Sequence, residues 1–548
     1  MRAARINARE ALIARAKRWP RAVIPFCARW LGAAFLALVA ASCATLPGAN
    51  YPKQASAAFD QPEATALGHA IAAAGRTHTG LSGFRLLADG AQSLRARLDL
   101  AAAAQRTLDL QYFIIKNDVT GKLVIDTVLR AADRGVRVRL LIDDTDDLVR
   151  NKQIIAIAAH RGIEVRIFNP YYARGLFDLL RYSEFVVDRR LNYRMHNKVL
   201  VADNTAAVVG GRNIADDYFD ASDRTDRSDF DVLAAGAIVR RVSASFDAYW
   251  NSDLAIPVQA LGSKPDAGAL QTYRTELEEN RRNAQTSDRI PVPDADPVQG
   301  LLANDAPLIW AKAEVLYDNP DKFKVESGEK RGTLLRDRLV QALGSVESEL
   351  LIVSPYLVPA DEGMKLLEQI RGRGVRVRIV TNSLASTDLP VAHSGYEHYR
   401  VRLLADGIEL YEAKPSPAAG DGDGHSLKSP SSGKFDLHAK MFVLDRKRLF
   451  VGSMNFDYRS LRINTEIGLL IDNDEVARQA SQRFDAMAQP ANSYALHLGP
   501  ADAFGKRQLT WHTEENGKSV ELTAEPMGDI LRGIQANLFT LLPIDDLL

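Results

Sequence analysis

Hydrophobic and polar positions along the chain follow a pattern that occurs twice. Each copy begins with a short apolar run rich in strand-forming residues, continues with helical periodicity, and then enters an alternating strand through a helix-ending glycine. The matching segments are residues 108–115 and 350–356, residues 120–134 and 362–373, and the two Gly-Val-Arg-Val-Arg strands at 135–139 and 374–378. Strands that alternate with helices are typical of an α/β sandwich, so we predict this fold class for each copy.

The separation between matching segments is nearly constant. The Gly-Val-Arg-Val-Arg strands start at Gly135 and Gly374, 239 residues apart, and a second shared pattern starts at His196 and His438, 242 residues apart. A single large offset of this kind indicates duplication of a whole domain rather than the short period of a solenoid. We therefore predict two tandem α/β domains.

The boundaries of these domains follow from shifts in composition. Residues 257–305 hold several prolines and many polar residues and are predicted to be the linker between the copies. Residues 415–434, rich in Gly, Ser, Pro and Asp, are predicted to form a mobile loop. The predicted organisation is an irregular approach at 44–83, a first domain at 84–256, the linker at 257–305, a second domain at 306–490 and an accessory segment at 491–548 packed on the second domain.

The first 43 residues are predicted to be a signal peptide of the lipoprotein type. Eight basic residues accompany an apolar run at 31–41, which is too short to cross a bilayer because a spanning helix needs about 20 apolar residues. Small residues and Cys43 follow, a pattern that resembles a bacterial lipoprotein signal with Cys43 as the lipidated first residue of the mature chain. An ordinary signal peptide and an uncleaved anchor are the alternatives.

Composition narrows the classes of partner and compartment. Of 548 residues, 46% are hydrophobic, which is enough to build the cores of several domains. Lys and Arg together number 69, as do Asp and Glu, so no overall positive charge favours nucleic acid as a partner. The two cysteines, Cys27 and Cys43, both lie near the N-terminus, so no disulfide framework supports the body of the protein.

The second shared pattern is His-x-Lys-x-x-x-x-Asp, and each copy leads into a glycine-containing turn and an asparagine. The residues are His196, Lys198, Asp203 and Asn213 in the first copy and His438, Lys440, Asp445 and Asn455 in the second. Two short apolar strands follow each histidine, with Asp203-Asn204 or Asp445-Arg446 between them, and these residue pairs predict tight hairpins. Alternation places His and Lys on one face of the strand, whereas each Asp is predicted to support its turn.

A duplicated set of His, Lys and Asn suits chemistry on a phosphate diester. One imidazole can attack phosphorus while the other protonates the leaving alcohol, so covalent catalysis divides the displacement into two easier steps. The two lysines would bind the non-bridging oxygens as cations, and the two asparagines would donate hydrogen bonds to them. Two acids at the start of later apolar runs, Asp231 and Glu466, are predicted to orient the rings from the far nitrogen. Because the lysines supply positive charge, no metal or cofactor is expected.

These motifs resemble those of the phospholipase D superfamily, whose members carry two such motifs on paired α/β domains and work through a phosphohistidine. The resemblance covers residues 84–490, and longer stretches are similar to bacterial cardiolipin synthases of the C type. Those stretches are residues 194–198, 210–214, 217–219, 452–457, 459–460, 464–466 and the tail at 541–546. The resemblance implies two tandem phospholipase D-like domains that share one active site about a pseudo-twofold axis. The implied catalytic residues are His196, Lys198, Asp203, His438, Lys440 and Asp445.

The same resemblance implies transfer of a phosphatidyl group to the hydroxyl of phosphatidylglycerol, giving cardiolipin or a related phospholipid. His196 would be the nucleophile and His438 the acid and base, with phosphatidylethanolamine as a candidate second substrate. We expect a monomer that binds the membrane surface rather than nucleic acid, in the bacterial cell envelope, lipid-anchored and facing the periplasm. The alternatives are a hydrolase of the same superfamily with water as acceptor, a nuclease, and a lipid-binding scaffold with an inactive site.

Overall fold

The computed structural model describes residues 49–145, 152–171, 188–222, 225–261, 268–287, 289–303, 306–415, 434–505 and 507–526. The predicted lipoprotein signal with Cys43, residues 416–433 of the predicted loop and the tail beyond residue 526 lie outside these ranges. Within them, no helix combines the length and the apolar character needed to cross a bilayer.

The first copy forms a mixed sheet. Its strands are β1 (Ser82–Leu87), β2 (Thr107–Tyr112), β3 (Arg137–Asp143), β4 (Ile163–Phe168), β5 (Val199–Ala202), β6 (Ala206–Gly210), β8 (Asp231–Ala235) and β9 (Ala255–Pro257), with β7 (Thr225–Ser228) outside the sheet. They lie side by side in the order β9-β4-β3-β2-β5-β6-β8-β1, with β2, β3 and β4 parallel and the rest antiparallel. Helices connect the parallel strands, as parallel pairing requires.

The second copy repeats this order. Its strands are β10 (Ile309–Tyr317), β11 (Glu349–Val353), β12 (Leu357–Val358), β13 (Arg376–Asn382), β14 (Glu409–Ala413), β15 (Lys434–Leu437), β16 (Met441–Leu444), β17 (Arg448–Gly452), β18 (Phe456–Asp457) and β19 (Ile467–Asp472). The sheet runs β14-β13-β11-β16-β17-β19-β10, with β11, β13 and β14 parallel. The predicted duplication and the α/β fold class are therefore confirmed.

The helices pack against the sheets and against one another. They are α1 (Ala66–Ala74), α2 (Gly90–Ala103), α3 (Val119–Asp133), α4 (Lys152–Ile157), α5 (Ala237–Trp250), α6 (Ala269–Ala284), α7 (Pro297–Ala303), α8 (Lys322–Glu326), α9 (Leu335–Gly344), α10 (Ala360–Gly372), α11 (Pro390–Ala405) and α12 (Asp474–Met487). Aspartates cap the N-termini of α2 and α3: Asp89 accepts a hydrogen bond from Gln92, and Asp118 accepts one from Gly121.

The two sheets share one apolar core, which fixes the halves against each other. Alternation along β5 sends Val199 and Val201 into this core, where they lie with Val443 and Leu469 of the second copy. The intervening Leu200 belongs to a separate core under the helices of the first copy. The edges also join, because β1 pairs with β10 in antiparallel register from Ser82 opposite Ala311 to Phe84 opposite Ile309.

Three segments outside the duplicated units have regular structure, and the first of them, the approach at 44–83 that was predicted to be irregular, contains α1 and the start of β1. The predicted linker at 257–305 contains α6 and α7, and its Tyr273, Leu277 and Leu301 are buried in the core of the first copy. Tyr273 and Leu277 are four residues apart and therefore lie on one helix face. The prolines and polar residues around them led the sequence analysis to predict a linker rather than this helix. In the C-terminal segment, β20 (Ser493–Ala501), β21 (Arg507–Glu515) and β22 (Lys518–Leu522) extend the second sheet through β14.

Candidate active site

The hairpins that follow the two histidines hold each motif in place. Asp203 and Asn204 have φ of 51° and 53°, and Asp445 and Arg446 both have φ of 54°. Two successive positive φ values are the signature of a type I′ turn, which matches the twist of paired strands. The predicted hairpins are thereby confirmed.

The aspartates of the motifs are structural. The Asp203 carboxylate accepts hydrogen bonds from the backbone N–H groups that open β2, at 2.7 to 2.9 Å. Asp445 accepts the corresponding bonds from residues 347–349, at 2.7 to 3.1 Å, and so joins its hairpin to β11. Both carboxylates lie at the far end of a four-residue strand from the histidine. Counting Asp203 and Asp445 as catalytic residues is therefore corrected: they join hairpins to neighbouring strands.

Each histidine is held by backbone from the opposite copy. The His196 N–H donates to the Thr465 carbonyl at 2.9 Å, and the His438 N–H donates to the Ser228 carbonyl at 2.8 Å. The second contact continues a parallel pairing of β7 with β15. The halves therefore exchange strand segments at the two places where the histidines lie.

The residue after each of these carbonyls is an acid that orients the ring. His196 Nδ1 lies 3.0 Å from a carboxylate oxygen of Glu466, and His438 Nδ1 lies 2.6 Å from Asp229. Both acids are fully buried, and Glu466 also accepts a hydrogen bond from the Ser453 hydroxyl. With Nδ1 occupied, each ring has Nε2 left for chemistry.

Asp231, the acid predicted from the sequence for the first copy, has a different role. It accepts hydrogen bonds from Arg97 and Ser93 in α2, and lies opposite Gly210 in the sheet. In the second copy Gly468 has that position, opposite Gly452, so Asp231 corresponds to Gly468 and Asp229 to Glu466. A shared signal was present in the sequence, because a hydroxyl residue precedes the acid in both Ser228-Asp229 and Thr465-Glu466.

Each lysine contacts the histidine of its own motif. Lys198 Nζ donates to the His196 carbonyl at 2.6 Å, Lys440 Nζ donates to the His438 carbonyl, and both lysines are fully buried. Each ammonium therefore lies beside its own histidine, as the strand alternation predicts. Burial lowers the pKa of Lys198 well below its usual range, whereas the nearby carboxylates of Glu466 and Asp229 oppose that shift and favour the charged ammonium.

The asparagines border the same space. Asn213 Nδ2 donates to the Tyr218 hydroxyl at 2.9 Å, Arg227 also donates to that hydroxyl, and Asn213 Oδ1 is buried without a partner. Amide oxygen and nitrogen are interchangeable by a half-turn. The exchanged orientation lets Tyr218 donate to Oδ1, and it turns Nδ2 toward the cavity as a donor for a phosphate oxygen.

The histidines of both motifs line one cavity of about 360 Å³. It is lined by His196, Asn213 and Tyr218 of the first copy and by His438 and Asn455 of the second, among other residues. An aromatic ring packs against each imidazole in a T-shaped contact. The ring centroids are 5.1 Å apart for Phe113 and His196 and 5.1 Å apart for Tyr218 and His438. Phe113, Tyr218 and Asp229 were not assigned roles from the sequence.

Burial sets the charge state of this site. It lowers the pKa of His196, although Glu466 opposes the shift, and it lowers the pKa of His438 well below the usual value, with help from Lys440. Burial also lowers the pKa of Lys440 to about 8. Both rings are therefore neutral near pH 7, and a bound phosphate anion would favour uptake of one proton between them.

The acids differ from each other. Burial would raise the pKa of Glu466, but His196, Lys198 and Ser453 outweigh it, and the net pKa is below its usual value. Burial raises the pKa of Asp229 despite the neighbouring Lys440. Glu466 therefore holds its negative charge more firmly, so the site is chemically asymmetric although its geometry is nearly symmetric.

Comparison with known proteins gives matches that cover both copies. The family described as "Cardiolipin synthase, PLD-like domain" matches residues 98–250 and 339–488. Cardiolipin synthase C of Escherichia coli (strain K12) is 37% identical over 479 residues, covering 86% of this chain and 97% of that protein. Cardiolipin synthase 1 of Bacillus anthracis is 24% identical over 414 residues, covering 75% of this chain and 67% of that protein.

The fold also has a counterpart among solved structures. Phosphatidylserine synthase of Haemophilus influenzae Rd KW20 aligns with a TM-score of 0.50 and 15% identity, covering 78% of this chain and 92% of that one. At this identity the likeness concerns the fold alone. The family match takes in both histidine motifs and more than half of the chain, and the similarity to the E. coli protein extends over nearly all of that relative. The chain therefore belongs to the cardiolipin synthase family of phospholipase D-like proteins.

Proposed function

We propose that this protein is a phosphatidyltransferase that forms cardiolipin or a related phospholipid from phosphatidylglycerol and a second phospholipid. The observation that carries the proposal is the pair of histidines in one cavity, each with its Nδ1 held by an acid from the opposite copy. The similarity to Cardiolipin synthase C of E. coli supports the choice of lipid substrates.

The first step transfers the phosphatidyl group to the protein. His196 Nε2 attacks phosphorus, the bond from phosphorus to the head-group oxygen breaks, and His438 gives its proton to the departing alcohol. Lys198 and Lys440 balance the charge of the phosphoryl oxygens, and Asn213 and Asn455 donate hydrogen bonds to them. The product of this step is a phosphohistidine.

The second step reverses these roles with a new alcohol. Neutral His438 takes the proton from the hydroxyl of phosphatidylglycerol, and its oxygen attacks phosphorus. The phosphorus–nitrogen bond then breaks, which returns His196 and leaves His438 protonated for the next cycle. The exclusion of water decides whether an alcohol or water is the acceptor.

The charge states of the two acids favour His196 as the nucleophile. The phosphohistidine ring carries a positive charge, which an ionised carboxylate at Nδ1 stabilises. Glu466, whose pKa is below its usual value, is ionised more firmly than Asp229, whose pKa is raised by burial. His438, with its lowered pKa, releases its proton readily and suits the acid and base role.

Lipid analysis of the purified protein tests the proposal. Incubation with phosphatidylglycerol, alone and with phosphatidylethanolamine, is expected to yield cardiolipin in at least one mixture, measured by mass spectrometry. A requirement for the second lipid would identify it as the phosphatidyl donor. Phosphatidic acid as the sole product would support the hydrolase alternative, and no turnover of either lipid would contradict the proposal.

The place of action is proposed from the N-terminal sequence. Lipidation at Cys43 would hold the protein, a monomer, at the periplasmic surface of a membrane in the bacterial cell envelope, next to its substrates. Cys43→Ser is expected to remove the acyl mass from the mature N-terminal peptide and to release the protein from the membrane fraction. Cys27→Ser is the matched control and leaves both measurements unchanged. An unaltered mature mass in Cys43→Ser would exclude the anchor.

A further inference from the structure

The cavity wall on the His438 side carries an acid, Asp388, that the mechanism above does not use. Tyr218 contacts the His438 ring, Arg227 donates to the Tyr218 hydroxyl, and Asp388 pairs with that same Arg227. Asp388 lies just before α11, and its two oxygens are held from different sides. The Tyr356 hydroxyl donates to one oxygen at 2.7 Å, and Arg227 lies 3.0 Å from the other. These two contacts fix the direction of the carboxylate. The Asp388 side chain is 28% exposed, so the carboxylate is also accessible from the cavity.

A carboxylate in this cavity is unfavourable for binding of the phosphate anion, because the two negative charges repel each other. Arg227 does not belong to Asp388 alone, since its Nε also lies 3.7 Å from Asp436. Burial would raise the pKa of Asp388, but the charge of Arg227 and the hydrogen bond from Tyr356 lower it, and the net pKa is below its usual value, so this acid is ionised at neutral pH. A fixed negative charge on the wall fits a ligand group that donates hydrogen bonds.

The position of Asp388 tells which part of the substrate it faces. His438 exchanges its proton with the alcohol oxygen, so the rest of that alcohol extends along the wall beside His438. Glycerol carries hydroxyl groups beyond its reacting oxygen, and ethanolamine carries an ammonium group there. Both head groups therefore present a hydrogen-bond donor, which methyl or propyl groups lack.

We propose that Asp388 selects the alcohol that leaves and enters beside His438 by accepting a hydrogen bond from a hydroxyl or ammonium group of that alcohol. Tyr356 and Arg227 position the carboxylate for this contact. This inference rests on the proposed phosphatidyl transfer and adds the residue that distinguishes one alcohol from another.

Competition between acceptors tests the inference. A phosphatidyl donor with a p-nitrophenol leaving group forms the same intermediate in every reaction, and glycerol, ethanolamine or n-propanol then competes with water for it. For Asp388→Asn, we expect the yield of the glycerol or ethanolamine product relative to the propanol product to fall about 10- to 100-fold. The propanol product and the initial release of p-nitrophenol stay within about twofold, because neither needs a donor group.

Two further variants keep the test decisive. Asp361→Asn removes an exposed carboxylate on α10 and is the matched control for the charge change. Tyr356→Phe retains the Asp388 carboxylate but removes the hydrogen bond that the Tyr356 hydroxyl donates to it. The product ratio should therefore shift in the same direction by a smaller factor. If Asp388→Asn does not fold, the ratio measured with Tyr356→Phe decides the question.

The outcomes separate the inference from the proposed function. A larger loss with ethanolamine than with glycerol identifies the ammonium as the group bound, and the reverse identifies a hydroxyl. An equal fall of all three products, or an unchanged product ratio, overturns the role of Asp388 but leaves phosphatidyl transfer intact. A wild-type protein that transfers to none of the alcohols overturns the proposed function and this inference with it.

Discussion

Replacing His196 with alanine is expected to reduce turnover of phospholipid by at least about 10⁴-fold, because the variant lacks the imidazole that forms the covalent intermediate in the proposed mechanism. His438→Ala should reduce turnover to a similar extent for a different reason, since no proton then reaches the leaving alcohol. His69→Ala, a change at an exposed histidine of α1, is the control and stays within about twofold of the wild type.

A donor with a p-nitrophenol leaving group distinguishes the two histidines. This group departs without protonation, so His438→Ala should still release one equivalent of p-nitrophenol per site and then stop as the phosphohistidine. His196→Ala should release none. The opposite pattern would assign the nucleophile to His438, and substantial steady-state turnover in either variant would contradict the two-histidine mechanism.

Asp229→Asn is expected to reduce kcat by about 10²- to 10⁴-fold. Its free energy of unfolding should fall less than that of a second variant, Asp231→Asn. An amide cannot stabilise the charged His438 ring, and it permits the wrong tautomer. The contact is the 2.6 Å hydrogen bond between Asp229 and His438 Nδ1. Activity assays on the folded variant, with circular dichroism as the check on folding, measure the effect.

Asp231→Asn is the matched comparison, because the two aspartates are two residues apart, both fully buried, and differ in what they contact. Asp231 pairs with Arg97 at 3.0 Å, and loss of one partner of a buried pair costs about 3 kcal/mol or more. Denaturant unfolding should therefore show a lower free energy of unfolding, while kcat of the folded fraction stays within about threefold. A catalytic loss in Asp231→Asn with unchanged stability would return Asp231 to the active site.

Local patterns were enough to predict much of the fold. Two aspartate-containing turns between apolar strands predicted the hairpins, and the constant offset between Gly135 and Gly374 predicted the duplication. Glu466 was also selected as a ring-orienting acid, and it lies 3.0 Å from His196. These features depend on residues close in sequence or on comparison of one copy with the other.

What the sequence did not provide depends on contacts between distant segments. Asp231 was selected from the sequence instead of Asp229. Choosing between these two aspartates correctly requires the register of β6 with β8, which residue spacing along the chain does not give. The pairing of β7 with β15 joins segments more than two hundred residues apart. The roles of Phe113 and Tyr218 follow from ring geometry, because nothing in their neighbours along the chain distinguishes them from core aromatics.

Each copy supplies the acid that orients the histidine of the other copy. The active site is therefore complete only when the two copies are docked. Glu466 and Asp229 each serve the imidazole of the other half, so separating the halves would strip both rings of their carboxylates at once. No partly docked molecule retains a working half-site that could cleave lipid and lose the intermediate to water. The docked fold is therefore the first state of the polypeptide in which either imidazole has its carboxylate partner.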